Sequence, residues 1–309
     1  MDPMKRMILP ALALTFVAGC GDDPSAPKPT TIRAVPGSEQ RIMQIAEGVF
    51  PFGQPAVLPD WSPDGERIAY VNAPKGSRVI WSMRADGTDP KQITEYGAVF
   101  PAWSPDGSQI AHTITRLGGS WILSAPASGG PSDTLTPPWM RPISADWSDP
   151  SKLLVDSGHE GSADIWLVPL DGGDPTRLTS DLADELFPVW SPDMEWIAYA
   201  SQDSALSEIS DIFVMRADGS DRRNLTNGPG YNTAPTWSPD GAWIAFDSNR
   251  EGNLDIWAVP FAGGESVQLT ADPAIDSQPD WSPDGKKIAF VSHRGGSHAV
   301  WTVEVETVK

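Results

Sequence analysis

Short apolar stretches alternate with polar turns along most of the chain, and the pattern has the period of β-strands. A typical stretch is Pro101-Ala102-Trp103, which is followed by the turn Ser104-Pro105-Asp106-Gly107 and then by Gln109-Ile110-Ala111-His112. In such a turn Pro fixes φ, Asp bonds nearby backbone N–H groups and Gly accepts a left-handed conformation. The pattern therefore predicts two short antiparallel strands joined by a tight turn.

This unit recurs six times. Four copies of Trp-Ser-Pro-Asp-Gly are intact and two are degenerate, with Met194 in the Gly position of one and Ser-Asp-Pro in the other. The six copies begin at Trp61, Trp103, Trp147, Trp190, Trp237 and Trp281. Subtracting their numbers gives spacings of 42, 44, 43, 47 and 44 residues. A period of this length indicates a repeat architecture.

The rest of each repeat supplies two more strands. Asp255-Ile256-Trp257-Ala258-Val259 predicts a third strand, and a fourth ends at Gln268-Leu269-Thr270. Four short antiparallel strands in about 44 residues are typical of one propeller blade. We therefore predict an all-β fold, a six-bladed β-propeller of four-stranded antiparallel blades. Trp81, Trp166, Trp257 and Trp301 fall on or beside third strands and are expected to pack between blades.

The last repeat lacks its outer strand, because the sequence given stops eight residues after Trp301. Arg41-Ile42-Met43-Gln44-Ile45-Ala46 lies just ahead of the first repeat, where an outer strand would fall. We predict that this segment pairs with the C-terminal strand around Val300 to Val305. Such pairing would remove exposed strand edges and close the ring.

The residues before the repeats have the composition of a targeting segment and a linker. A lipoprotein signal peptide is predicted over residues 1–19, with Cys20 as the lipid attachment site. The evidence is the positive pair Lys5 and Arg6, a short apolar run after it, and the sequence Val17-Ala18-Gly19-Cys20. Ordinary signal cleavage with Cys20 as a free thiol is the alternative. Residues 20–40 are rich in Pro, Ser and Asp, and we predict that they form a disordered tether. We predict that residues 41–309 form the propeller. Gly21, and not Asp, follows the Cys, and this favours anchoring of the protein in the outer membrane. We expect the protein to lie on the periplasmic face of that membrane.

The repeat also resembles a known family. Pro-x-Trp-Ser-Pro-Asp-Gly-x-x-Ile-Ala-Phe, then Asp-Ile-Trp, then Leu-Thr, is similar to the propeller repeats of the TolB family, most closely over residues 235–246 and 278–290. The resemblance implies a six-bladed propeller in the bacterial envelope that binds other proteins. TolB also has an α/β domain ahead of its propeller, and the roughly 40 residues that precede these repeats are too few to form one.

Charge limits the classes of partner. The formal net charge is −19, and an acidic surface of that size repels phosphate backbones. We expect no nucleic-acid partner, and contact with the membrane only through the lipid anchor. We also expect a monomer.

Signs of catalysis are few. No Gly-x-Ser-x-Gly motif occurs, and His293 and His298 lie in a Gly-rich turn without nearby Cys or acidic residues. Asp64, Asp106, Asp240 and Asp284 are interpreted as turn residues that bond the backbone. We expect no metal, no cofactor and no enzymatic activity.

The candidate binding residues lie in the connections that lead into each repeat, at one mouth of the central channel, because such loops vary while the repeat is constant. Trp139, in Pro137-Pro138-Trp139-Met140-Arg141-Pro142, has no counterpart in other repeats; it is a candidate partner contact or a cover for the third blade. The predicted contacts are Tyr96, Trp139, Arg141, Asp184, Glu185, Tyr231, Asn232, Asp276 and Gln278. We predict a non-enzymatic scaffold that binds an envelope protein. The alternative is a carbohydrate- or peptidoglycan-associated binding or lytic protein, which convergent carboxylates with raised pKa values in the channel would favour.

Overall fold

The computed structural model describes residues 31–44, 58–73, 76–159, 161–202 and 209–308. Every regular element in these ranges is a β-strand, and the strands form six antiparallel sheets. No helix in this part of the chain is long and apolar enough to cross a bilayer. The signal peptide, Cys20 and most of the predicted tether lie outside the described residues.

Strands of the first three blades follow each other in chain order, after two strands that belong to the last blade. The two early strands are β1 (Thr31–Ala34) and β2 (Gln40–Gln44). Blades 1 to 3 comprise β3 (Asp60–Trp61), β4 (Arg67–Asn72), β5 (Val79–Arg84), β6 (Lys91–Gln92), β7 (Ala98–Trp103), β8 (Gln109–Arg116), β9 (Gly119–Pro126), β10 (Asp133–Thr134), β11 (Pro142–Asp146), β12 (Lys152–Ser157), β13 (Asp164–Pro169) and β14 (Thr176–Arg177).

The remaining three blades repeat the arrangement, and blade 6 takes its outer strands from the N-terminal segment. They comprise β15 (Asp184–Trp190), β16 (Trp196–Gln202), β17 (Asp211–Arg216), β18 (Arg223–Asn224), β19 (Asn232–Trp237), β20 (Trp243–Ser248), β21 (Asp255–Pro260), β22 (Val267–Gln268), β23 (Asp276–Trp281), β24 (Lys287–Ser292) and β25 (Ala299–Val308). The predicted six-bladed propeller is confirmed, and both degenerate repeats form complete blades.

Ring closure uses two strands instead of one. β2 pairs with residues 299–302 of β25, as predicted, and β1 pairs with residues 305–308 of the same strand. β1 lies within residues 20–40, so the propeller begins about ten residues earlier than the predicted boundary. The reason is that Ile32 is buried against Trp243 and Trp281, and this alternating short strand is too brief to stand out in a polar segment.

The core lies between blades. Each hydrophobic cluster joins strands of two neighbouring sheets, as where Trp61 and Ile68 of blade 1 pack with Val291 and Val300 of blade 6, and with Ile42 of β2. The six motif Trp side chains are all buried. A blade can bury its apolar faces only by packing on neighbouring blades. Closing the ring gives every blade two such neighbours and therefore stabilises all six.

The Thr that follows the outer strand in blades 1 to 5 has a specific role; the residue before it is Ile93 in blade 1 and Leu in the other four. In blades 1 to 5 the Thr Oγ1 accepts the backbone N–H of an Ile in the third strand, at 2.8 to 3.0 Å. The acceptors are Thr94, Thr136, Thr179, Thr226 and Thr270. This bond satisfies a buried donor where the two-residue outer strand has already ended.

The two ends of the propeller differ. We call the end where inner strands begin the connection end; it holds the connections between blades and the loops between second and third strands. The opposite end, which we call the turn end, holds the Trp-Ser-Pro-Asp-Gly turns and the turns between third and outer strands. In the intact motif turns the Asp carboxylate accepts a backbone N–H two residues on, for example Asp64 from Glu66 at 3.0 Å. The interpretation of these Asp residues as turn residues is confirmed.

Candidate functional site

Exposed large hydrophobic side chains occur at only one end of the described propeller. All six lie in connections or loops of the connection end: Tyr96, Leu117, Trp139, Leu182, Ile209 and Ile275. They are distributed over several blades, so the apolar tips surround the end of the ring. Apolar side chains grouped on one face of a soluble protein are typical of an interaction surface.

Charge separates the two ends further. The described connection-end loops contain four acidic and four basic residues, which are Glu95, Asp181, Glu251, Asp272, Arg78, Arg141, Arg250 and Arg294. The described turns of the turn end contain fifteen acidic residues, which are Asp64, Glu66, Asp86, Asp89, Asp106, Asp149, Asp171, Asp174, Asp193, Glu195, Asp218, Asp221, Asp240, Glu265 and Asp284. The bases in these turns and at the adjoining strand ends are Arg67, Arg84, Lys91, Lys152, Arg216, Arg222, Arg223, Lys286 and Lys287. Acidic residues therefore outnumber basic ones at the turn end, although some of them form ion pairs, such as Asp89 with Arg67.

Trp139 packs against blade 3 and also remains partly exposed. Its ring packs edge-on against Trp166 of blade 3, with centroids 5.8 Å apart, and lies 4.9 Å from His159. It nevertheless keeps 40 % of its surface exposed. Trp139 thus covers blade 3 and presents a rigid aromatic face to solvent, and Arg141 beside it is also exposed.

The other predicted contacts divide by burial. Tyr96 is exposed, with the Arg116 guanidinium 5.7 Å from its ring centre. Asp184 and Tyr231 are half-buried.

Glu185, Asn232 and Asp276 are buried, so they do not form part of a partner surface. The sequence predicts loop tips for them, but each is the first or second residue of an inner strand and its side chain is buried. Gln278 lies farther along its strand, on the wall of the central channel.

The buried residues belong to polar contacts between strands and loops. Asn232 accepts from Arg250 at 2.9 Å and from Ser248 at 2.7 Å, and Asp276 accepts from Arg294 at 2.6 Å. Glu185 has a less complete environment: its Oε2 makes no hydrogen bond among the described residues. Burial raises the pKa of Glu185 to about 7.

The central cavity lies in the other half of the channel. It has a volume of about 630 Å³ and is lined in every blade by the residues from the third before the motif Trp to the Trp itself, with a Ser or Pro of the following turn added in five blades. Phe100 and Phe187 meet across its inner end, with ring centroids 6.0 Å apart. The cavity is thus lined by the turn-end half of the inner strands, and not by the connection-end residues where a ligand site was expected.

A repeated backbone irregularity shapes this cavity. Five inner strands have a bulge just before the Trp. In four of these strands the residue three before the Trp has a positive φ of 50° to 58°, and Leu58 at the same position of blade 1 has φ of 41°. The four residues are Phe100, Phe187, Ala234 and Gln278. Non-glycine residues rarely adopt this conformation, and no glycine marks it in the sequence. This explains why the lining could not be predicted.

Carboxylates on the cavity wall also join the blades. Asp60, Asp146 and Asp280, each directly before a motif Trp, accept the backbone N–H of the next blade's Trp at 2.6 to 2.7 Å. Burial raises the pKa of all three, and the nearby Asp280 carboxylate raises that of Asp60 further. The channel therefore does contain convergent carboxylates with raised pKa values.

The His pair does not extend into a ligand set. His293 and His298 stack with ring centroids 4.4 Å apart, and burial, with a contribution from His293, lowers the pKa of His298 to about 4. Within the described ranges, no three His, Cys, Asp or Glu side chains are grouped closely enough to hold a metal ion.

Comparison with known proteins supports the resemblance seen in the repeats. Residues 208–309 match the family model of the TolB beta propeller domain. A structure described as TolB from Agrobacterium tumefaciens is 26 % identical, with a TM-score of 0.61, over 71 % of this chain and 83 % of that one. No curated protein matches the chain. The similarity to TolB-like propellers is confirmed.

Two further structures share the fold. TolB from Acinetobacter baumannii is 21 % identical, with a TM-score of 0.63; the similarity covers 78 % of this chain and 64 % of that one, so this chain spans less than two thirds of its length. A gluconolactonase from Xanthomonas campestris is 15 % identical, with a TM-score of 0.65, over 87 % of this chain and 89 % of that one. The same architecture therefore occurs in a TolB and in an enzyme.

Proposed function

We propose that this propeller is a non-enzymatic scaffold that binds an envelope protein through its connection end. The observation that carries the proposal is that every exposed large hydrophobic side chain of the described residues lies at that end. Rigid aromatic and aliphatic side chains beside arginine are the groups that dominate binding energy in protein interfaces. Trp139 next to Arg141 fits this description best.

The charge distribution supports the same orientation. In the described connection-end loops acidic and basic residues are equal in number, so a partner meets little net repulsion there, whereas acids outnumber bases at the turn end. A partner with an apolar surface would therefore dock at the connection end, opposite the mouth of the cavity.

Site-specific photocrosslinking would test this proposal. A photoreactive amino acid replaces Leu117 or Leu182, two nearly fully exposed side chains of the connection end, and matched variants carry it at Glu66 or Asp171 of the turn end. We expect one defined adduct from the connection-end positions in intact cells, which is weakened when Trp139→Ala is added. Equal adducts from both ends, or none from the connection end, would refute the scaffold proposal.

A lipid anchor at Cys20 is part of the proposal for location. The sequence Val17-Ala18-Gly19-Cys20 and the similarity to TolB propellers support a periplasmic position at the outer membrane. Metabolic labelling with an alkyne fatty acid should mark the wild-type protein and leave Cys20→Ser unlabelled. Label retained in Cys20→Ser would show that the anchor assignment is wrong.

A carbohydrate- or peptidoglycan-directed activity is the second candidate, and the Asp60 and Asp280 carboxylates in the cavity favour it. Paired acids with raised pKa values are suited to general acid–base chemistry. However, one oxygen of each is already engaged by a backbone N–H of the next blade. Release of soluble fragments from purified peptidoglycan or glycans by wild type, and not by Asp280→Asn, would establish this candidate in place of the scaffold.

A further inference from the structure

The cavity at the turn end is a separate feature from the proposed docking surface. Phe100 and Phe187 cross the channel at its inner end, so the space behind them is shaped as a pocket. Leu58 and the motif Trp side chains add apolar surface to the wall. A volume of about 630 Å³ lies within the usual range for small-molecule sites.

The polar groups on this wall are mostly acceptors. Asp60 and Asp280 lie on adjacent inner strands, and the N–H that Asp280 binds belongs to Trp61, the residue after Asp60. The second oxygen of Asp60 accepts no hydrogen bond from any described residue, while that of Asp280 accepts only from Thr236 at 3.2 Å. These two carboxylates therefore keep capacity for another donor.

A third carboxylate lies directly behind the wall. Asp247 is 3 % exposed and its Oδ1 has no hydrogen-bond partner. Its other oxygen accepts the N–H of Gln278, a cavity-lining residue, at 3.4 Å. The Asp247 carboxylate thus contacts a residue of the cavity lining through one oxygen and has its other oxygen buried without a donor.

Blade 3 also has an Asp at this position, and there both carboxylate oxygens have donors. There the equivalent Asp156 accepts both the N–H and the hydroxyl of Ser144 at 2.6 and 3.0 Å. Ala234 occupies the position of Ser144 in blade 5 and provides no hydroxyl. Asp247 Oδ1 therefore lacks the donors that Asp156 Oδ1 has, next to Ala234, which lines the cavity. A buried acceptor without a donor is costly.

The field at the turn end favours positive ligands. The described turns at this end carry fifteen acidic residues, against nine basic ones in the turns and at the adjoining strand ends. An excess of one sign of charge around a cleft concentrates the opposite ion. Aromatic walls combined with carboxylates are the environment in which organic cations are recognised. We propose that the central cavity binds a ligand that carries an ammonium or guanidinium group on an apolar body, with the cation placed between Asp60 and Asp280 and the body against Phe100 and Phe187.

Calorimetric titration of the full chain would test this site with hexylamine, with a capped Ala-Lys-Ala peptide and with the neutral analogue 1-hexanol. We expect saturable binding of at least one amine and none of hexanol. Binding of the free amine alone indicates a small-molecule ligand, and binding of the peptide alone indicates a side chain of a partner protein. No saturable amine binding at concentrations of about 10 mM, at which even a site with millimolar Kd is filled, or equal binding of hexanol, would overturn the proposal.

Two matched variants locate the cation. Asp280→Asn keeps an acceptor for the Trp61 N–H and removes one charge, while Asp240→Asn removes one charge from an exposed turn at the same end. We expect Asp280→Asn to weaken amine binding by about tenfold or more, because a desolvated charge pair is lost, and Asp240→Asn to change it less than about twofold. Equal effects of the two variants would show that only the general field attracts amines. Unfolding curves of both variants check that the ring remains closed.

Discussion

The Asp280 carboxylate in the last blade accepts the backbone N–H of Trp61 in the first blade at 2.6 Å. The same contact joins Asp60 to Trp103 and Asp146 to Trp190, at the corresponding positions of other blades. The other three interfaces have no carboxylate there: Ala102 and Val189 provide no side-chain acceptor, and Thr236 Oγ1 accepts the Trp281 N–H at 3.4 Å. The contact at Asp280 is the one that spans the junction between the last repeat and the first.

Replacing Asp280 with Ala should destabilise the protein. The Trp61 N–H would lose its acceptor in a largely enclosed site, so we expect the free energy of unfolding to fall by about 1–3 kcal/mol. Asp280→Asn retains an acceptor and removes a charge whose burial raises the pKa of Asp280, so its stability at pH 8 should equal or exceed that of wild type. Chemical denaturation at pH 8 measures both. A loss in the Asn variant as large as that in the Ala variant would contradict this role.

Stability should fall as pH rises from about 4 to about 7. Burial raises the pKa of Asp247 to about 7 and that of Asp156 to about 6, above the value near 4 of an unfolded chain. The folded protein therefore holds more protons than the unfolded chain across that window, and their loss at higher pH destabilises the fold. We expect a melting temperature several degrees higher at pH 5 than at pH 8.

Asp247→Asn separates this effect from the general relief of negative charge at low pH. The variant should show a smaller difference in melting temperature between pH 5 and pH 8 than wild type. Asp240→Asn makes the same change of charge on an exposed turn and should leave the difference nearly unchanged. If the two variants behave alike, the buried carboxylate is not responsible.

The Thr of the Leu-Thr sequence should matter through one hydrogen bond. Thr136 Oγ1 accepts the N–H of Ile122 at 3.0 Å inside the fold, so Thr136→Val leaves a buried donor unpaired and should cost about 1–3 kcal/mol. Thr134, two residues earlier, is exposed, and Thr134→Val should stay within about 0.5 kcal/mol of wild type. Urea denaturation of the two variants side by side would decide; equal stabilities would disprove the contact's importance.

The regular spacing of the motif made the architecture predictable, because turn chemistry and Trp burial repeat with every blade. Even Met194 adopts the left-handed conformation of the glycine it replaces, with φ of 59°. The functional surfaces were harder to predict from the sequence. The sequence predicts polar loop tips at Glu185, Asn232 and Asp276. In the structure their side chains are buried. The shape of the cavity depends on the positive φ values of Phe100 and Phe187, which cannot be predicted from their residue type.

Closure of the ring by the N-terminal segment gives a sharp test at Gly87. A Cβ at this position would lie 2.0 Å from the carbonyl oxygen of Ile42 in β2, and φ is 84°. Gly172 occupies the same turn position in blade 3 with φ of 87° and has nothing within 4 Å. Both Ala variants suffer the left-handed backbone penalty of roughly 1–2 kcal/mol, but only Gly87→Ala also pushes β2 away from its neighbours. We expect Gly87→Ala to be clearly less stable than Gly172→Ala and to increase hydrogen exchange of β2 amides. Equal stability and exchange in both would mean that β2 does not hold the ring closed.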